Sequence, residues 1–527
     1  MMITHNSINQ TGTMVLSEIQ KVLTDINSAF FISVDEQTHE IDLVNDFEGM
    51  HAEEKIVKIP VYEMEQFGDA DFRETYGVRC AFYAGAMANG ISSTEMVIAL
   101  GKAGFLGSFG AAGLPPVQLE AAVDQIQTAL PNGPYAFNLI HSPYEAALEE
   151  RAVQIYINKK VNVVEASAYL KLTPSIVYYR AAGLQEAQDG TVIMTNRVIA
   201  KLSRTEVAEK FLQPAPDEIL DKLVEENKIT RKQADLARRV PMADDITVEA
   251  DSGGHTDNRP LLCLMPTMLA LRDKMQAQYG YETPVRVGAG GGISTPAAVL
   301  GAFMMGAAYV VTGSINQACV EAGASPHTKK LLSEAGMADI TMAPSADMFE
   351  MGVKVQVLKR GTFFPMRAQK LYEIYTHYDS IDDIPVSERE KLETQIFRRD
   401  LESIWQDTVA FFEERDPAQI KRAEKKPKNK MALIFRWYLG LSSRWSNGGE
   451  SDREMDYQIW CGPAMGSFND WTRSTYLSEI HNRRIVDVTT QLFTGAVYLY
   501  RVQLLKMHGI QVPAKLASYY PLSSMVK

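Results

Sequence analysis

Cysteine is scarce in this sequence, and its positions are scattered. The four cysteines among 527 residues are Cys80, Cys263, Cys319 and Cys461. No two of them have the close spacing of a zinc-binding module, and they are too few and too dispersed for the disulfide framework of a small secreted domain. The sequence therefore predicts no metal site built on cysteine, and it is typical of a protein of the reducing cytoplasm.

Long apolar runs, export signals and an excess of positive charge are also missing. No uninterrupted apolar run reaches the roughly 18 residues that a membrane helix needs, and the start, "MMITHNSINQTGTM", has no basic segment followed by an apolar one. Lys and Arg number 53 against 65 Asp and Glu, for a formal net charge of −12. We expect a soluble cytoplasmic protein that binds neither nucleic acid nor membrane.

From about residue 77, short apolar runs alternate with longer segments of helical period. The eight runs that we interpret as strands begin at Ala81, Gly104, Tyr135, Val161, Arg197, Ile246, Val285 and Ala308. Eight parallel strands with covering helices can close into a barrel, whereas an open doubly wound sheet more often has five or six strands. The predicted fold class is therefore α/β, with a (β/α)8 TIM barrel over residues 71–360.

Two further segments flank the predicted barrel. Residues 1–70 form a small N-terminal β-containing segment, in which "FFISVDEQTHEIDLV" resembles a hairpin. Residues 361–527 form a mainly helical C-terminal region, interrupted by the charged run "KRAEKKPKNK", which we interpret as a solvated loop. A homodimer is compatible with this organisation.

Two glycine-rich turns follow the last two predicted strands. Gly290, Gly291 and Gly292 end the seventh strand, and the stretch Thr312, Gly313, Ser314 ends the eighth. In barrels of this type these two loops often bind a phosphate, because unhindered backbone N–H groups converge there. The alternative interpretation is a tight turn from strand to helix with no ligand.

Other predicted strand ends carry small or polar residues toward the same barrel mouth. These residues are Ala86, Met87 and Ala88, then Asn138, Lys201, and finally Gly253, Gly254 and His255. Small residues would let a flat ring lie against the backbone, and an amide or ammonium group could meet its polar edge. His255 can exchange protons near neutral pH. No pattern suits a metal site, so none is predicted.

Several long segments resemble the PfaD family, the flavin-dependent enoyl reductases of bacterial polyunsaturated fatty acid and polyketide synthases. They are "AGAMANGISSTEMVIALGKAGFLGSFGAAGLPP", "VEADSGGHTDNRP", "VGAGGGISTPAAVLGAFMMGAAYVVTGSINQA", "MGVKVQVLKRGTFFPMRAQKLYEIY" and "WCGPAMGSFNDW". The barrel portion is also similar to nitronate monooxygenases and stand-alone FMN enoyl reductases. The resemblance covers most of the chain.

The resemblance implies a bound FMN and NADPH, or NADH, as a transient reductant. It places the FMN phosphate at Gly291, Gly292, Gly313 and Ser314, and the isoalloxazine against Ala86, Met87 and Ala88. Asn138 and Lys201 would contact the flavin, and His255 would be the active-site histidine. The implied reaction is reduction of a trans-2-enoyl thioester carried on an acyl carrier protein.

Three other functions remain open at this point. The chain could be a nitronate monooxygenase-like FMN oxidase, a sugar-phosphate isomerase on the same barrel, or a scaffold without activity. A carrier protein is usually acidic, so docking would need basic residues near the mouth. The candidates are Arg180, Lys201, Arg204 and Arg259, with the "KRAEKKPKNK" run as a further one.

Overall fold

The computed structural model describes residues 16–35, 41–44, 54–141, 143 and 146–525. Its N-terminal part consists of α1 (Leu16–Thr24), β1 (Phe30–Asp35), β2 (Ile41–Val44) and β3 (Glu54–Ile59). The three strands form an antiparallel sheet in which β1 lies between β2 and β3. Because β1 and β2 pair antiparallel, the predicted hairpin is confirmed, although its turn lies outside the described residues.

Eight parallel strands close into a barrel in the order in which they occur along the chain, and the last pairs with the first. They are β4 (Phe82–Ala84), β5 (Leu106–Phe109), β6 (Ala136–Ile140), β7 (Val163–Ser167), β10 (Arg197–Leu202), β11 (Asp245–Glu249), β13 (Arg286–Gly290) and β14 (Val310–Thr312). Each overlaps one predicted strand, so the eight strands and the barrel are confirmed.

Helices cover the outside of this barrel, and their starts follow the capping chemistry of the sequence. The Ser93 side chain accepts a hydrogen bond from the N–H of Met96, and Pro116 occupies the first turn of its helix. The helices as far as β14 are α2 (Ala70–Tyr76), α3 (Thr94–Lys102), α4 (Pro116–Ala129), α5 (Ala146–Asn158), α6 (Pro174–Ala182), α7 (Thr205–Leu212), α8 (Asp217–Glu225), α9 (Arg231–Ala237), α10 (Leu261–Tyr279) and α11 (Pro296–Met304).

Two small sheets are added to the barrel. The strands β8 (Leu184–Glu186) and β9 (Val192–Met194) form a hairpin before β10. The other sheet has the order β12 (Gly254–His255), β16 (Lys354–Leu358), β15 (Ile340–Pro344), and it joins the loop after β11 to residues far along the chain. This second sheet lies at the barrel mouth.

The chain after β14 is mainly helical, as predicted. Its helices are α12 (Pro326–Ser333), α13 (Phe364–His377), α14 (Val386–Lys391), α15 (Leu401–Arg415), α16 (Pro417–Lys425), α17 (Pro427–Gly448), α18 (Ala464–Thr472) and α19 (Ile485–Met507). The interpretation of "KRAEKKPKNK" as a loop is wrong, because only Lys426 is non-helical there. Pro427 is tolerated since it stands in the first turn of α17.

Helix α19 completes the barrel although it lies near the C-terminal end of the sequence. It packs against α11 and α3, in the position that a helix directly after β14 would otherwise occupy. The contact is close, since a Cβ atom on Gly495 would lie 2.4 Å from Cγ of Pro296. The segments 1–70, 71–360 and 361–527 stay a prediction as domain boundaries, but the last of them contributes one wall of the barrel.

The N-terminal part is attached to the same helix. Val22, Phe30 and Ile59 pack against the C-terminal half of α19 in a separate apolar cluster. Arg501 of α19 is fully buried there, and its guanidinium donates to five backbone carbonyls of residues 22–60, including Val22 at 2.8 Å and Ser28 at 2.9 Å. The buried guanidinium is tolerated because these carbonyls accept from both of its terminal nitrogens, while its Nε has no acceptor among the described residues.

The N-terminal end of the barrel is occupied by ion pairs. Arg286 pairs with Asp245 at 2.7 Å, and Arg180 pairs with Asp244 at 2.7 Å. Arg180 is almost completely buried, and it lies at the end of the barrel opposite the glycine turns. The expectation that Arg180 helps to form a docking surface at the mouth is therefore wrong. Among the described residues, no helix is both long and apolar enough to cross a membrane.

We expect Gly495→Val to lower the free energy of unfolding by about 1–3 kcal/mol, because the new side chain must displace Pro296 or move α19 away from α11. Gly301→Ala on α11 is a matched control, since its Cβ would meet no atom within 4 Å and alanine favours a helix over glycine. Denaturant unfolding measures both. Equal midpoints for Gly495→Val and the wild type would contradict this packing.

Candidate active site

A cavity of about 610 Å³ lies at the C-terminal ends of the barrel strands. All the predicted site residues line it, namely Ala86, Met87, Ala88, Asn138, Lys201, Gly253, Gly254, His255, Gly290, Gly291, Gly292, Thr312, Gly313 and Ser314. The parallel arrangement accounts for this, because the C-terminal ends of all eight strands lie at the same end of the barrel. The structure thus brings these residues together, while the role of each stays a prediction.

The two glycine turns contain backbone N–H groups that have no hydrogen-bond acceptor among the described residues. Gly291 has φ +88°, and a Cβ there would lie 2.7 Å from the carbonyl carbon of Ala250. At Gly292 and Gly313 a Cβ would meet nothing within 4 Å. Among the described residues, nothing accepts a hydrogen bond from the N–H groups of Gly291, Gly292 and Gly313. Such a cradle fits the oxygens of a phosphate group.

A loop of the C-terminal region contacts the second glycine turn, at Ser314, and the loop after β11, at Gly253. The N–H of Gly462 donates to Oγ of Ser314 at 3.0 Å. A Cβ on Gly462 would lie 2.8 Å from the nitrogen of Gly253, so the two loops meet backbone to backbone. Sequence reasoning missed this contact. The glycine in "WCGPAMGSFNDW" was the available signal, but nothing in its spacing indicated a partner.

Lys201 lies between two carboxylates at the floor of the cavity. Its Nζ is 3.1 Å from Oε1 of Glu165 and 3.6 Å from Oε1 of Glu249. Burial opposes the charged ammonium, but Glu249 and Glu165 outweigh burial and raise the pKa of Lys201. Burial also raises the pKa of Glu249, against the opposing effect of Lys201. Charged residues inside the apolar strands "VNVVEAS" and "ITVEADSGGH" were the overlooked signal.

Two more polar contacts define this floor. Glu165 is fully buried, and its Oε2 accepts a hydrogen bond from the N–H of Ala86 at 2.8 Å. Asn138 donates through Nδ2 to the backbone carbonyl of Glu165 at 3.1 Å and to Oγ of Ser167 at 2.8 Å. Both amide hydrogens of Asn138 are thus used inside the barrel, so any contact with a ligand would fall to its Oδ1.

His255 is fixed by the small sheet at the mouth, where it lies opposite Val355 in the β12–β16 pair. Its Nε2 is 3.1 Å from Oδ1 of Asp347, and the Ser345 hydroxyl also donates to this carboxylate. Burial lowers the pKa of His255, but Asp347 and Glu249 outweigh that effect, so the pKa is raised. Sequence reasoning missed Asp347, because only the sheet brings its loop beside His255.

The helical C-terminal region forms the opposite wall of the cavity. Its lining residues include Phe411, Phe412 and Arg415 of α15 and Leu433, Arg436, Trp437 and Arg444 of α17, together with Trp460. Helix α17 is attached to the loop after β4, because Nδ2 of Asn89 donates to Oγ of Ser443 at 3.0 Å. The cavity is therefore enclosed between the barrel and these helices.

The basic residues predicted for docking are dispersed. Lys201 is paired with the two glutamates of the cavity floor. Arg204 pairs with Asp257 at 2.8 Å, and Arg259 is exposed beside that pair. The residues that the structure describes contain no group of three or more His, Cys, Asp or Glu side chains that could hold a metal ion.

Comparison with known proteins identifies the barrel. Residues 81–373, more than half of the chain, match the family model described as nitronate monooxygenase. The chain belongs to the nitronate monooxygenase family. Residues 378–457 match a second model, described as the inserted helical domain of [acyl-carrier-protein] S-malonyltransferase. We call residues 378–457 the helical insert.

Further relatives are named as a polyunsaturated fatty acid synthase subunit and a polyketide biosynthesis protein, which confirms the family resemblance predicted from the sequence. The chain is 49% identical over 498 residues to a polyunsaturated fatty acid synthase subunit of Thraustochytrium sp., and 46% identical over 445 residues to polyketide biosynthesis protein PksE of Bacillus subtilis. These alignments cover 93% and 84% of this chain but only 33% and 58% of the two relatives.

A solved structure matches over its whole length. It is the enoyl reductase domain of MlnA from the macrolactin biosynthesis cluster of Bacillus amyloliquefaciens, with 40% identity and a TM-score of 0.79. The match covers 84% of this chain and 100% of that domain. The chain therefore shares the fold of this domain over most of its length.

We expect Lys201→Met to lower stability, and to do so more at pH 8 than at pH 5. Without the ammonium, the buried carboxylates of Glu165 and Glu249 repel each other, so the folded protein binds a proton more tightly than the unfolded chain does. A carboxyl whose pKa is raised by folding makes stability fall as pH rises. The loss at pH 8 should be about 3–5 kcal/mol.

Denaturant unfolding at the two pH values measures this effect. Lys201→Arg keeps the positive charge and is the control, which should show a smaller loss. A loss that is the same at both pH values would contradict the electrostatic role of Lys201.

Proposed function

We propose that this protein is an FMN-dependent enoyl reductase that acts on trans-2-enoyl thioesters carried by an acyl carrier protein. The observation that carries the proposal is one cavity containing both the open N–H cradle of Gly291, Gly292 and Gly313 and the paired His255 and Asp347. The likeness to the enoyl reductase domain of MlnA supports the reaction type.

The residues at the barrel mouth suit FMN. The glycine cradle would hold the phosphate, and the backbone of Ala86, Met87 and Ala88 would support the ring system. Lys201 and Oδ1 of Asn138 offer a cation and an acceptor to the polar edge of the ring. A bound flavin supplies hydride transfer from NADPH or NADH to the β-carbon of the enoyl group. The sequence contains no G-x-G-x-x-G unit of a separate dinucleotide domain, which supports use of one mouth by both substrates.

His255 supplies the proton chemistry in this proposal. Asp347 accepts from Nε2–H of His255 and favours the protonated imidazole, which leaves Nδ1–H to donate a hydrogen bond to the thioester carbonyl oxygen, where negative charge develops, or a proton to the α-carbon. Asp347 acts through His255, by orienting the ring and raising its pKa, and is therefore a positioning residue. Ser345 in turn holds the Asp347 carboxylate in place.

The names of the relatives support a substrate that is linked to a carrier protein. They are parts of polyunsaturated fatty acid and polyketide synthases, and the helical insert matches a domain named for an acyl carrier protein transferase. The cavity also has apolar walls contributed by the insert, such as Phe412 and Leu433, which suit an acyl chain.

A nitronate monooxygenase activity is the second candidate, because the family model covers the barrel. In that reaction His255 would remove a proton from the substrate and would have to be neutral. The His255–Asp347 pair suits either role, because a carboxylate that raises the pKa of an imidazole also makes it a stronger base. The likeness to the enoyl reductase domain of MlnA favours the first candidate. Oxygen consumption with a nitronate as substrate would favour the second candidate.

The first test of the cofactor is an absorbance spectrum of the purified protein, in which bound flavin gives maxima near about 370 and 450 nm. We expect Gly292→Asp to abolish flavin retention, because it puts a negative charge at the phosphate cradle. Gly292→Ala is the control, since it has the same strained φ of +77° without the charge. Full flavin occupancy in a folded Gly292→Asp protein would disprove the assignment.

We expect His255→Ala to slow reduction of the enoyl thioester by roughly 10²-fold or more, while oxidation of NADPH suffers less. Asp347→Asn removes the negative charge that favours the imidazolium, so the pKa of His255 should fall. If the protonated imidazole is the active form, the loss of rate at high pH should then begin at a lower pH than in the wild type.

Stopped-flow measurement of the two half-reactions across pH tests both variants. Unchanged thioester reduction in His255→Ala would remove this residue from the mechanism. An unchanged pH profile in Asp347→Asn would show that the carboxylate has no influence on the proton.

A further inference from the structure

The rim of the cavity carries an exposed aromatic ring between two arginines. Phe411 of α15 is 40% exposed, and the guanidinium carbons of Arg415 and Arg444 lie 5.1 and 5.7 Å from its ring centroid. Nη2 of Arg444 is also 3.5 Å from the carbonyl oxygen of Gly113, in the barrel loop after β5. All four residues line the cavity, so its entrance has a positively charged edge.

The surface next to this edge is basic, in contrast to the rest of the protein. Residues 415–444 contain nine Lys or Arg and two Asp or Glu, whereas the whole chain has a net charge of −12. Lys421, Arg422, Lys425 and Lys426 are exposed, and all four stand on or directly after α16, which begins two residues after Arg415. The positive charge is therefore concentrated on α16 and the residue after it, and α16 packs against α15 and α17, the two helices that line the cavity.

We propose that this face of α15, α16 and α17 is the docking surface for the acyl carrier protein, and that Arg415 and Arg444 bind the phosphodiester of its phosphopantetheine arm. The proposal rests on the proposed function, because it assumes a carrier-linked substrate. Guanidinium groups suit phosphate oxygens, since they keep their charge and donate several hydrogen bonds.

The charge distribution explains why docking should occur at this place. An acidic carrier would be repelled by a chain of net charge −12, so a local excess of Lys and Arg is needed to steer the encounter. The arm must enter with its thioester first and its phosphodiester last. The phosphodiester then stops at the edge, at Arg415 and Arg444, while the thioester reaches the interior where His255 lies.

The experiment uses the protein with three thioesters of one enoyl group, crotonyl. The thiol is that of an acyl carrier protein from a polyunsaturated fatty acid synthase, of free phosphopantetheine, or of free pantetheine. One variant is Arg415→Gln/Arg444→Gln, and a second is Lys421→Glu/Lys425→Glu. The matched control is Lys102→Glu/Lys274→Glu, which reverses two exposed lysines, one in the last turn of α3 and one in the C-terminal half of α10, toward the opposite end of the barrel.

We expect the arginine variant to lower the kcat/KM ratio of phosphopantetheine to pantetheine substrate by about tenfold, because two charge-assisted contacts are lost. The α16 variant should lower the ratio of carrier-linked to phosphopantetheine substrate by about tenfold at low salt, and less at high salt. The control should keep both ratios. Binding of the carrier with an unacylated arm, followed by fluorescence anisotropy, should weaken in parallel.

The outcomes separate this proposal from the proposed function. If the wild type reduces none of the three thioesters, the proposed function fails, and the anisotropy measurement alone decides the docking surface. In another outcome, the wild type reduces them while both variants keep its kcat/KM ratios and its affinity for the carrier. The proposed docking surface is then wrong, although the proposed function stands. A raised KM for NADPH in the arginine variant, without a change in either ratio, would assign the edge to the nicotinamide cofactor instead.

Discussion

The packing of α19 against α11 and α3 is the contact on which the rest of the structure depends. A (β/α)8 barrel needs a helix after its last strand, and here the chain forms that helix only at Ile485–Met507. The space between the helices is narrow, which is why Gly495 stands opposite Pro296. Because α19 also holds the N-terminal segment through Arg501, one helix joins the two ends of the described chain to the barrel.

Because the helix that completes the barrel comes so late in the sequence, it limits where residues 313–484 can lie. They leave the barrel at the C-terminal end of β14, where the mouth lies. They must return to the same end of the barrel before α19 begins. Two helices of this excursion, α15 and α17, lie over the mouth and line the cavity. The backbone contact of Gly462 with Gly253 and the hydrogen bond from Asn89 to Ser443 hold two parts of the excursion on the barrel loops. The cavity is thereby formed by distant segments of sequence.

The strands and their order could be predicted from the sequence, because apolar runs of β length at regular spacing depend only on local pattern. The site residues at strand ends follow from the same pattern, since parallel strands all end at one edge. Glu165 and Glu249 could have been predicted as partners of Lys201, because each is a charged residue in an apolar strand next to the strand of Lys201. Asp347 could not, because only the small sheet brings its loop beside His255. The helical nature of "KRAEKKPKNK" was missed for another reason: charge dominates its composition, whereas the buried Ala423 and Ile420 that hold α16 are few.

Different parts of the cavity carry different charges. The floor and the small sheet hold three carboxylates, Glu165, Glu249 and Asp347, beside Lys201 and His255, so this part has no excess of positive charge to attract an anion. Open N–H groups lie at the glycine turns, and guanidinium groups lie at the entrance. A ligand with an anionic group and an uncharged reactive end is therefore oriented by the cavity itself. Its anion is favoured at the edge or the cradle, and only the uncharged part can approach His255 without an electrostatic cost.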